Sequence, residues 1–324
     1  VDLWGQISSG KAAAAAQYDA ALQTETFARL SIAALVARGW YTSIGYAQNI
    51  AIAQTQVAAY EQQLELVKEK YAAGANDMLD VNLAEATLAS AKADLVSLQA
   101  RAQTAVRGLE VLLGRYPGND LRAHGGFASL PASVPSGTPA SLISRRPDVL
   151  AAGQQVQAAF YNVKVAELAL LPGFSLTGQA GKLNDAALDV IGLSPNYLQL
   201  GASLLQPIFQ GGALNANIAA ASAAKQAAVA AYGQSVLEAF REVETALANE
   251  RFFRDRLGLL GAEAQDWSEA AELGQKKYDA GEISLQNLLQ IEERQYAAEQ
   301  GQIDAQLGVM LNRINLYLAL GGSL

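Results

Sequence analysis

Lys70-Tyr71-Ala72-Ala73-Gly74 and Lys277-Tyr278-Asp279-Ala280-Gly281 are near-copies of one another, 207 positions apart. The same shift aligns Leu30 with Leu237, Val36 with Val243, Leu66 with Leu273, and Leu113-Gly114 with Leu320-Gly321. A constant shift held without a gap over more than eighty residues reads as internal duplication. The glycine closing each pentad supplies the left-handed backbone that ends a helix and lets the chain turn back. Each copy therefore reads as helix, glycine turn, helix.

Outward from these turns, all eight prolines fall between Pro117 and Pro207, leaving 1–116 and 208–324 free of them. Proline inside a helix breaks it. Two proline-free flanks rich in Ala, Leu, Gln, Glu, Lys and Arg can therefore be long and helical. The incoming helices are expected from about Lys11 to Tyr71 and from Gly212 to Tyr278, each on the order of 90–100 Å long. That describes a tube or rod. In the first outgoing helix Val81, Ala84, Leu88, Ala91, Leu95, Leu98, Ala102, Ala105, Leu109 and Leu112 alternate steps of three and four. This is a coiled-coil seam, and its alanines favour close backbone approach. Tyr296, Ile303, Leu307, Met310, Ile314 and Tyr317 keep the same rhythm in the second copy.

The centre reads differently. Leu130–Thr138 is an expected loop, and His124, the only histidine, lies in a glycine-rich stretch that reads as a solvated loop. Arg146-Pro147-Asp148 starts a helix, with proline early and an acid in the first turn. That helix runs to about Leu170 and stops at Pro172-Gly173. Phe174, Leu176 and Ala180 then alternate with Ser175, Thr177 and Gln179. After a loop from Lys182 to Asn196, Leu198, Leu200, Ala202 and Leu204 alternate with Tyr197, Gln199, Gly201 and Ser203. Tyr197–Gln206 has the length of a membrane-spanning strand, roughly 9–11 residues; a half-buried soluble strand has the same pattern. Val1–Trp4 precedes the first flank as Ile208–Gly212 precedes the second. It is therefore expected to end a strand whose partner is missing, in a chain that begins inside a longer product.

The expected divisions are 1–9, the end of that strand; 10–114, the first helical hairpin; 115–146, a connection; 147–172, the central helix; 173–210, a β-hairpin; and 211–324, the second helical hairpin. Four strands per subunit cannot close a barrel, and a bilayer tolerates no open sheet edge. Strands of this kind in a membrane require several subunits to share one barrel.

Composition narrows the function. A formal charge of −8 argues against nucleic acid, which needs a basic face. The sequence has no cysteine, so thiolate metal sites and cysteine nucleophiles are absent. Neither a catalytic constellation, a phosphate-cradling loop nor a metal-ligand spacing is legible. The expectation is no enzyme and no cofactor. No segment has the roughly 20 apolar residues of a spanning helix, and no basic and apolar leader pattern opens the sequence.

Ser144-Arg145-Arg146-Pro147-Asp148-Val149, with Leu171-Pro172-Gly173-Phe174-Ser175-Leu176-Thr177-Gly178 beyond the helix, resembles the central signature of TolC/OprM/NodT-type outer-membrane efflux proteins. Ala239-Phe240-Arg241-Glu242-Val243-Glu244, the two Tyr-x-x-Gly turns and Leu318-Ala319-Leu320-Gly321-Gly322 carry the same resemblance, in colinear order over essentially the whole chain. It implies a mainly α fold with a small β part. Long coiled-coil hairpins would form a periplasmic tunnel, and strands from three subunits would share a twelve-stranded transmembrane barrel. The implied partners are two further copies, outer-membrane lipid, a periplasmic adaptor protein and an inner-membrane pump. Many members carry an N-terminal lipidated cysteine, in a region this sequence does not hold.

The resemblance also implies residue roles. The tips that meet the adaptor fall at Gly74, Ala75 and Asn76 and at Gly281, Glu282 and Ile283. The gate falls at Asp80 and Tyr278, with an apolar constriction at Gln286 and acidic rings at Asn287 and Gln290. The last three are uncharged here, so the usual electrostatic gate is altered. Leu198, Leu200, Ala202 and Leu204 are the expected lipid-facing set. The helices alone also permit a soluble coiled-coil adaptor or scaffold. The channel of a protein secretion system is a further alternative to a conduit for small molecules.

Overall fold

The computed structural model describes residues 2–123, 125–129, 145–182 and 196–322. His124, the loop expected at Leu130–Thr138 and the span between the two strands lie outside the described residues. Seven elements follow in order: α1 Gln6–Ala72, α2 Met78–Leu112, α3 Pro147–Leu168, β1 Gly173–Lys182, β2 Asn196–Leu205, α4 Ala213–Asp279 and α5 Leu285–Ala319. All four boundaries of α4 and α5 lie 207 positions after those of α1 and α2. The duplication read from the two pentads is thus a duplication of backbone.

Two compact units divide the chain. The first comprises Val1–Phe27 and Pro139–Ala239, the second Ala28–Thr138 and Phe240–Leu324. α1 and α4 each supply residues to both.

In the first unit, Ala13, Ala16 and Ala20 of α1 are buried at helical spacing, and Val149, Ala151, Ala158 and Val163 of α3 are buried around more than one side of that helix. Arg146 precedes Pro147 and grips Asp148 with two hydrogen bonds, Nε to Oδ1 at 3.0 Å and a terminal nitrogen to Oδ2 at 2.7 Å. β1 and β2 pair antiparallel from Gly173↔Leu205 to Lys182↔Asn196. Two side chains tie the foot of this hairpin down. Trp4 Nε1 donates to the Pro172 carbonyl at 2.8 Å, and Gln206 Nε2 donates to the Leu170 carbonyl at 3.0 Å.

One expectation fails here. The described part of the supposed strand end, residues 2–9, contains no strand; Asp2–Gly5 bend and α1 starts at Gln6. The reason is local. The Asp2 carboxylate accepts from the backbone N–H of Ile7 and Ser8, at 3.0 and 2.8 Å, satisfying donors that the first helical turn leaves open.

The second unit holds the duplicated hairpins. Its core joins Val57, Tyr60, Leu64 and Val67 of α1, Val81, Ala84, Leu88 and Ala91 of α2, Tyr278 of α4, and Leu285, Leu288, Leu289 and Tyr296 of α5. Val67 and Leu288 are fully enclosed, at 0% exposure. Lys68–Glu85 and Lys92–Glu61 ion pairs at 3.1 and 2.7 Å flank the α1–α2 seam, while Asn49 Nδ2 donates to Asp304 across α1 and α5 at 3.0 Å. The seam read for α2 is buried from Val81 to Ala91 and again at Leu109, but Leu112 is 37% exposed. The adjacent Glu110 takes the inward position. Its carboxylate accepts three backbone N–H groups, from Asn119 at 2.8 Å, Asp120 at 2.7 Å and Leu121 at 3.0 Å. Burial pushes the Glu110 carboxyl up, but these donors outweigh it and hold it below its ordinary value.

A second buried polar knot joins α4 to α5. Glu250 takes Arg313 and Arg254 on one oxygen and Asn312 Nδ2 on the other at 3.2 Å, while Asn312 also donates to the Ala246 carbonyl at 3.0 Å. Burial pushes the Glu250 carboxyl up, and the hydrogen bond and charge of Arg313, with Arg254 and Asn312, more than reverse it. Its folded value is lowered, so the stabilisation it gives is present above the ordinary carboxyl value of 4.5 and is lost as pH falls through the lowered one. Glu250→Ala removes the carboxylate from the enclosed Arg313 guanidinium, leaving it the neutral Tyr317 hydroxyl as a side-chain partner, and should destabilise the hairpin by about 3 kcal/mol. Thermal unfolding of wild type and variant checks this. The difference between their midpoints should shrink as the pH is lowered into the acid range.

Candidate functional site

Two places carry the residues singled out in the sequence: the tips of the helical hairpins and the faces of the β-hairpin. At the tips, α1 and α4 end in the same hydrogen-bonded turn. Gly74 N donates to the Tyr71 carbonyl at 2.9 Å and Ala75 N to that of Lys70 at 2.8 Å. Gly281 N donates to the Tyr278 carbonyl at 3.0 Å and Glu282 N to that of Lys277 at 2.8 Å. These bonds satisfy the last helical carbonyls, and they require a left-handed residue, which Gly74 and Gly281 supply with φ of 77° and 76°. The outgoing helices are capped alike. The Asp77 carboxylate accepts the N–H of Asp80 at 3.1 Å, and the Ser284 hydroxyl accepts that of Asn287 at 3.3 Å. Asp80 and Asn287 therefore occupy the same third helical position of their copies.

Side chains break this symmetry. Tyr278 is buried in the core, whereas its counterpart Tyr71 is exposed. The Lys70 ammonium lies 4.4 Å from the centre of the Tyr278 ring, a cation–π contact linking the two turns. The Tyr278 hydroxyl is enclosed and has no hydrogen-bond partner among the described residues. Gln286, Asn287 and Gln290 are exposed, on the side of α5 away from Leu285, Leu288 and Leu289. Asp80 is half-buried at the start of α2. Within one chain the amides and Tyr278 thus occupy different faces. Of the tip residues, Gly74, Ala75, Gly281 and Glu282 are exposed and Asn76 is half-buried. Ile283 turns back against the core.

The β-hairpin has two chemically distinct faces. Its register places Phe174, Leu176, Gly178 and Ala180 opposite Leu204, Ala202, Leu200 and Leu198 on one face. Ser175, Thr177, Gln179 and Gly181 stand opposite Ser203, Gly201, Gln199 and Tyr197 on the other. Ser175 and Ser203 share a hydroxyl hydrogen bond of 2.6 Å, and Thr177 Oγ1 donates to the Gly201 carbonyl at 3.3 Å. Leu176, Leu198, Leu200 and Leu204 are all strongly exposed, unlike the apolar face of a soluble sheet. Both outer edges lack a strand among the described residues.

Two features escaped the sequence reading. Glu292 stands on the seam of α5, one turn beyond Leu288 and one before Tyr296, and its Oε2 is enclosed without a hydrogen-bond partner. Tyr60 and Tyr296 meet edge to face at 6.1 Å across α1 and α5. The i, i+4 spacing of Leu288, Glu292 and Tyr296 is the signal that marks the acid as a seam residue. Among the described residues no group of three or more His, Cys, Asp or Glu is disposed to hold a metal, and no helix is long and apolar enough to cross a membrane.

Known proteins share this arrangement. The family model described as "Outer membrane efflux protein" matches residues 1–115 and 138–322. Outer membrane protein OprJ of Pseudomonas aeruginosa is 30% identical over 324 residues, 99% of this chain and 68% of the relative. The solvent efflux pump outer membrane protein SrpC of Pseudomonas putida is 28% identical, over 99% of this chain and 69% of its own. Among solved structures, a membrane protein from Pseudomonas aeruginosa superposes with a TM-score of 0.93 at 31% identity, covering 100% of this chain and 73% of that one. The outer-membrane channel OprN gives 0.91 at 28% identity, covering 99% and 73%. With the match spanning both helical hairpins and the β-hairpin between them, this chain belongs to the outer membrane efflux protein family.

Proposed function

We propose that three copies of this chain form a passive outer-membrane channel, the exit duct of a tripartite efflux system that carries small molecules from an inner-membrane pump. One observation carries the reading: an exposed apolar sheet face with two open edges, attached to duplicated helical hairpins. In lipid, each unpaired edge group costs several kcal/mol, so the edges must be paired by further strands until a barrel closes. The hairpins then form the periplasmic tunnel, with the tips at Gly74–Asn76 and Gly281–Ile283 meeting an adaptor. The names of OprJ, SrpC and OprN support the outer-membrane location and the efflux role. The chemistry of the cargo has no determinant among the described residues.

Sedimentation of the full-length protein in detergent should give a trimer. A stable monomer that still binds lipid overturns the shared barrel.

Period-two alternation turns Leu198, Leu200, Ala202 and Leu204 to lipid and Gln199 and Ser203 to the lumen. Leu200→Arg should impair membrane assembly by roughly 2–4 kcal/mol if it lies at midplane, and Ser203→Arg much less. Folding into vesicles, followed by gel mobility of unboiled samples, reads both; equal damage refutes the facing.

At the closed end, Asp80 repeats three times around the axis, while Asn287 and Gln290 provide hydrogen bonds without charge. The gate therefore relies on polar contacts and one ring of acids, giving modest cation selectivity. In planar bilayers Asp80→Asn should lower the preference for potassium over chloride more than Gln290→Ala does. Unchanged selectivity and conductance in Asp80→Asn would make Asp80 a plain surface acid.

A further inference from the structure

The duplication supplies its own control experiment at one position. Glu85 of α2 and Glu292 of α5 are counterparts under the shift of 207, as are Lys68 of α1 and Gln275 of α4. In the first copy Lys68 pairs with Glu85 at 3.1 Å, both side chains about half exposed. In the second copy the cation has become Gln275, which donates to Asp279 at 3.0 Å instead. The acid has meanwhile moved inward. Glu292 Oε2 is enclosed, and no cation pairs with it among the described residues.

Its surroundings are apolar or neutral on every packed side. α1 offers Tyr60, whose ring meets Tyr296 edge to face. The face that α4 turns inward here carries Trp267, Ala271, Gly274 and Gln275, and the charges of α4 at Asp266, Glu269, Glu272 and Lys276 are exposed. α2 brings Asp94 and Arg101 only to the recess that Glu293, Tyr296 and Gln300 also line. On α5 itself, Glu299 is engaged by Gln295, Glu293 is exposed, and the Arg294 guanidinium is held 5.3 Å over the Trp267 ring. An ionised carboxylate at this half-buried point has one oxygen shut off from solvent and no counter-charge among the described residues.

We propose that Glu292 is a proton-operated latch on the α1–α5 seam above the tips. Protonated, the carboxylic acid lies within the seam and the Tyr60–Tyr296 contact closes over it. Ionised, it draws water in, parts the two rings and loosens the packed core that ends at Leu285 and Val67. Burial pushes the Glu292 carboxyl up to about 7, so the two forms exchange dominance near neutrality. The sign follows from the raised value. The seam's stability is full below the ordinary carboxyl value of 4.5 and declines as pH rises from there through about 7. The proposal that this loosening opens a passage rests on the channel reading; the latch itself does not.

The test uses the full-length trimer in detergent, with amide hydrogen exchange followed in peptides covering 53–67 and 285–299. Wild type is compared with Glu292→Gln at each pH, so that the intrinsic pH dependence of exchange cancels. The two should match at about pH 4, and wild type should exchange increasingly faster as pH rises, by roughly a few hundredfold at about pH 8.5 where opening restores the ordinary carboxyl value. Gln275→Lys, which restores the cation of the first copy, should bring wild type back toward the protected rate. Glu292→Leu is a second pH-insensitive reference should Glu292→Gln misassemble. Equal exchange in wild type and both uncharged variants across the pH range overturns the latch. Single-channel recording separates the two ideas. A pH-dependent seam in a protein that never conducts defeats the channel reading and upholds the latch. An open fraction that rises with pH in wild type but not in Glu292→Gln supports both.

Discussion

The register in which each long helix returns on itself governs everything in the duplicated hairpins. A helix leaves its last carbonyls without partners, and here the six-residue wrap from Lys70 to Ala75, and from Lys277 to Glu282, answers them. The caps at Asp77 and Ser284 then fix where the outgoing helix starts. One residue more or fewer in either link would rotate the outgoing helix by about 100° and turn its seam away from its partner. With the links fixed, Val81 meets Val67's neighbourhood and Leu288 meets Gly274, whose bare backbone lets Leu288 and Ile291 approach closely. Burial of the core is thus downstream of a handful of backbone hydrogen bonds.

Periodicity made most of this legible from the amino acids. The helices, the turns, the copy-to-copy shift and the two strands follow from spacing, because spacing is what a helix or a strand imposes on its buried face. The faces of the β-hairpin were legible for the same reason. Individual polar partners were not. Glu110 reads as an ordinary surface acid next to Leu109, and only the chain's return through Asn119–Leu121 makes it an anchor. Glu250 lies more than sixty positions before the adjacent pair Asn312 and Arg313, and no local pattern announces that they meet. The cap at Asp2 was not legible either, since only the fold of Ile7 and Ser8 back over its carboxylate makes it one. At the candidate gate, the positions were legible from the resemblance, but their environment depended on packing. Tyr278 lies inside under Lys70 while its counterpart Tyr71 lies outside.

Identical backbones with unlike side chains are the theme of the two copies. Lys68 corresponds to Gln275, Asp80 to Asn287 and Tyr60 to Trp267 under the shift. The positions that differ lie both at the margin of the seam and within it, where Leu64 and Val67 of the first copy answer to Ala271 and Gly274 of the second. Some buried positions keep their character: Val81 with Leu288, Ala91 with Ala298. Within each copy large and small residues complement one another across the seam, whereas a capped turn constrains only φ and a donor or acceptor. Duplication thus leaves the architecture fixed and the charges free to diverge.

The polar face of the β-hairpin has its own consequence. Ser175, Thr177, Gln179, Tyr197, Gln199 and Ser203 present hydroxyls and amides, interleaved with glycine, and carry no formal charge. In the proposed barrel such a wall wets readily and neither attracts nor repels an ion by fixed charge. It offers every solute the same exchangeable hydrogen bonds that water does. A molecule passing along it is judged by girth and by how much of its hydration shell it must shed.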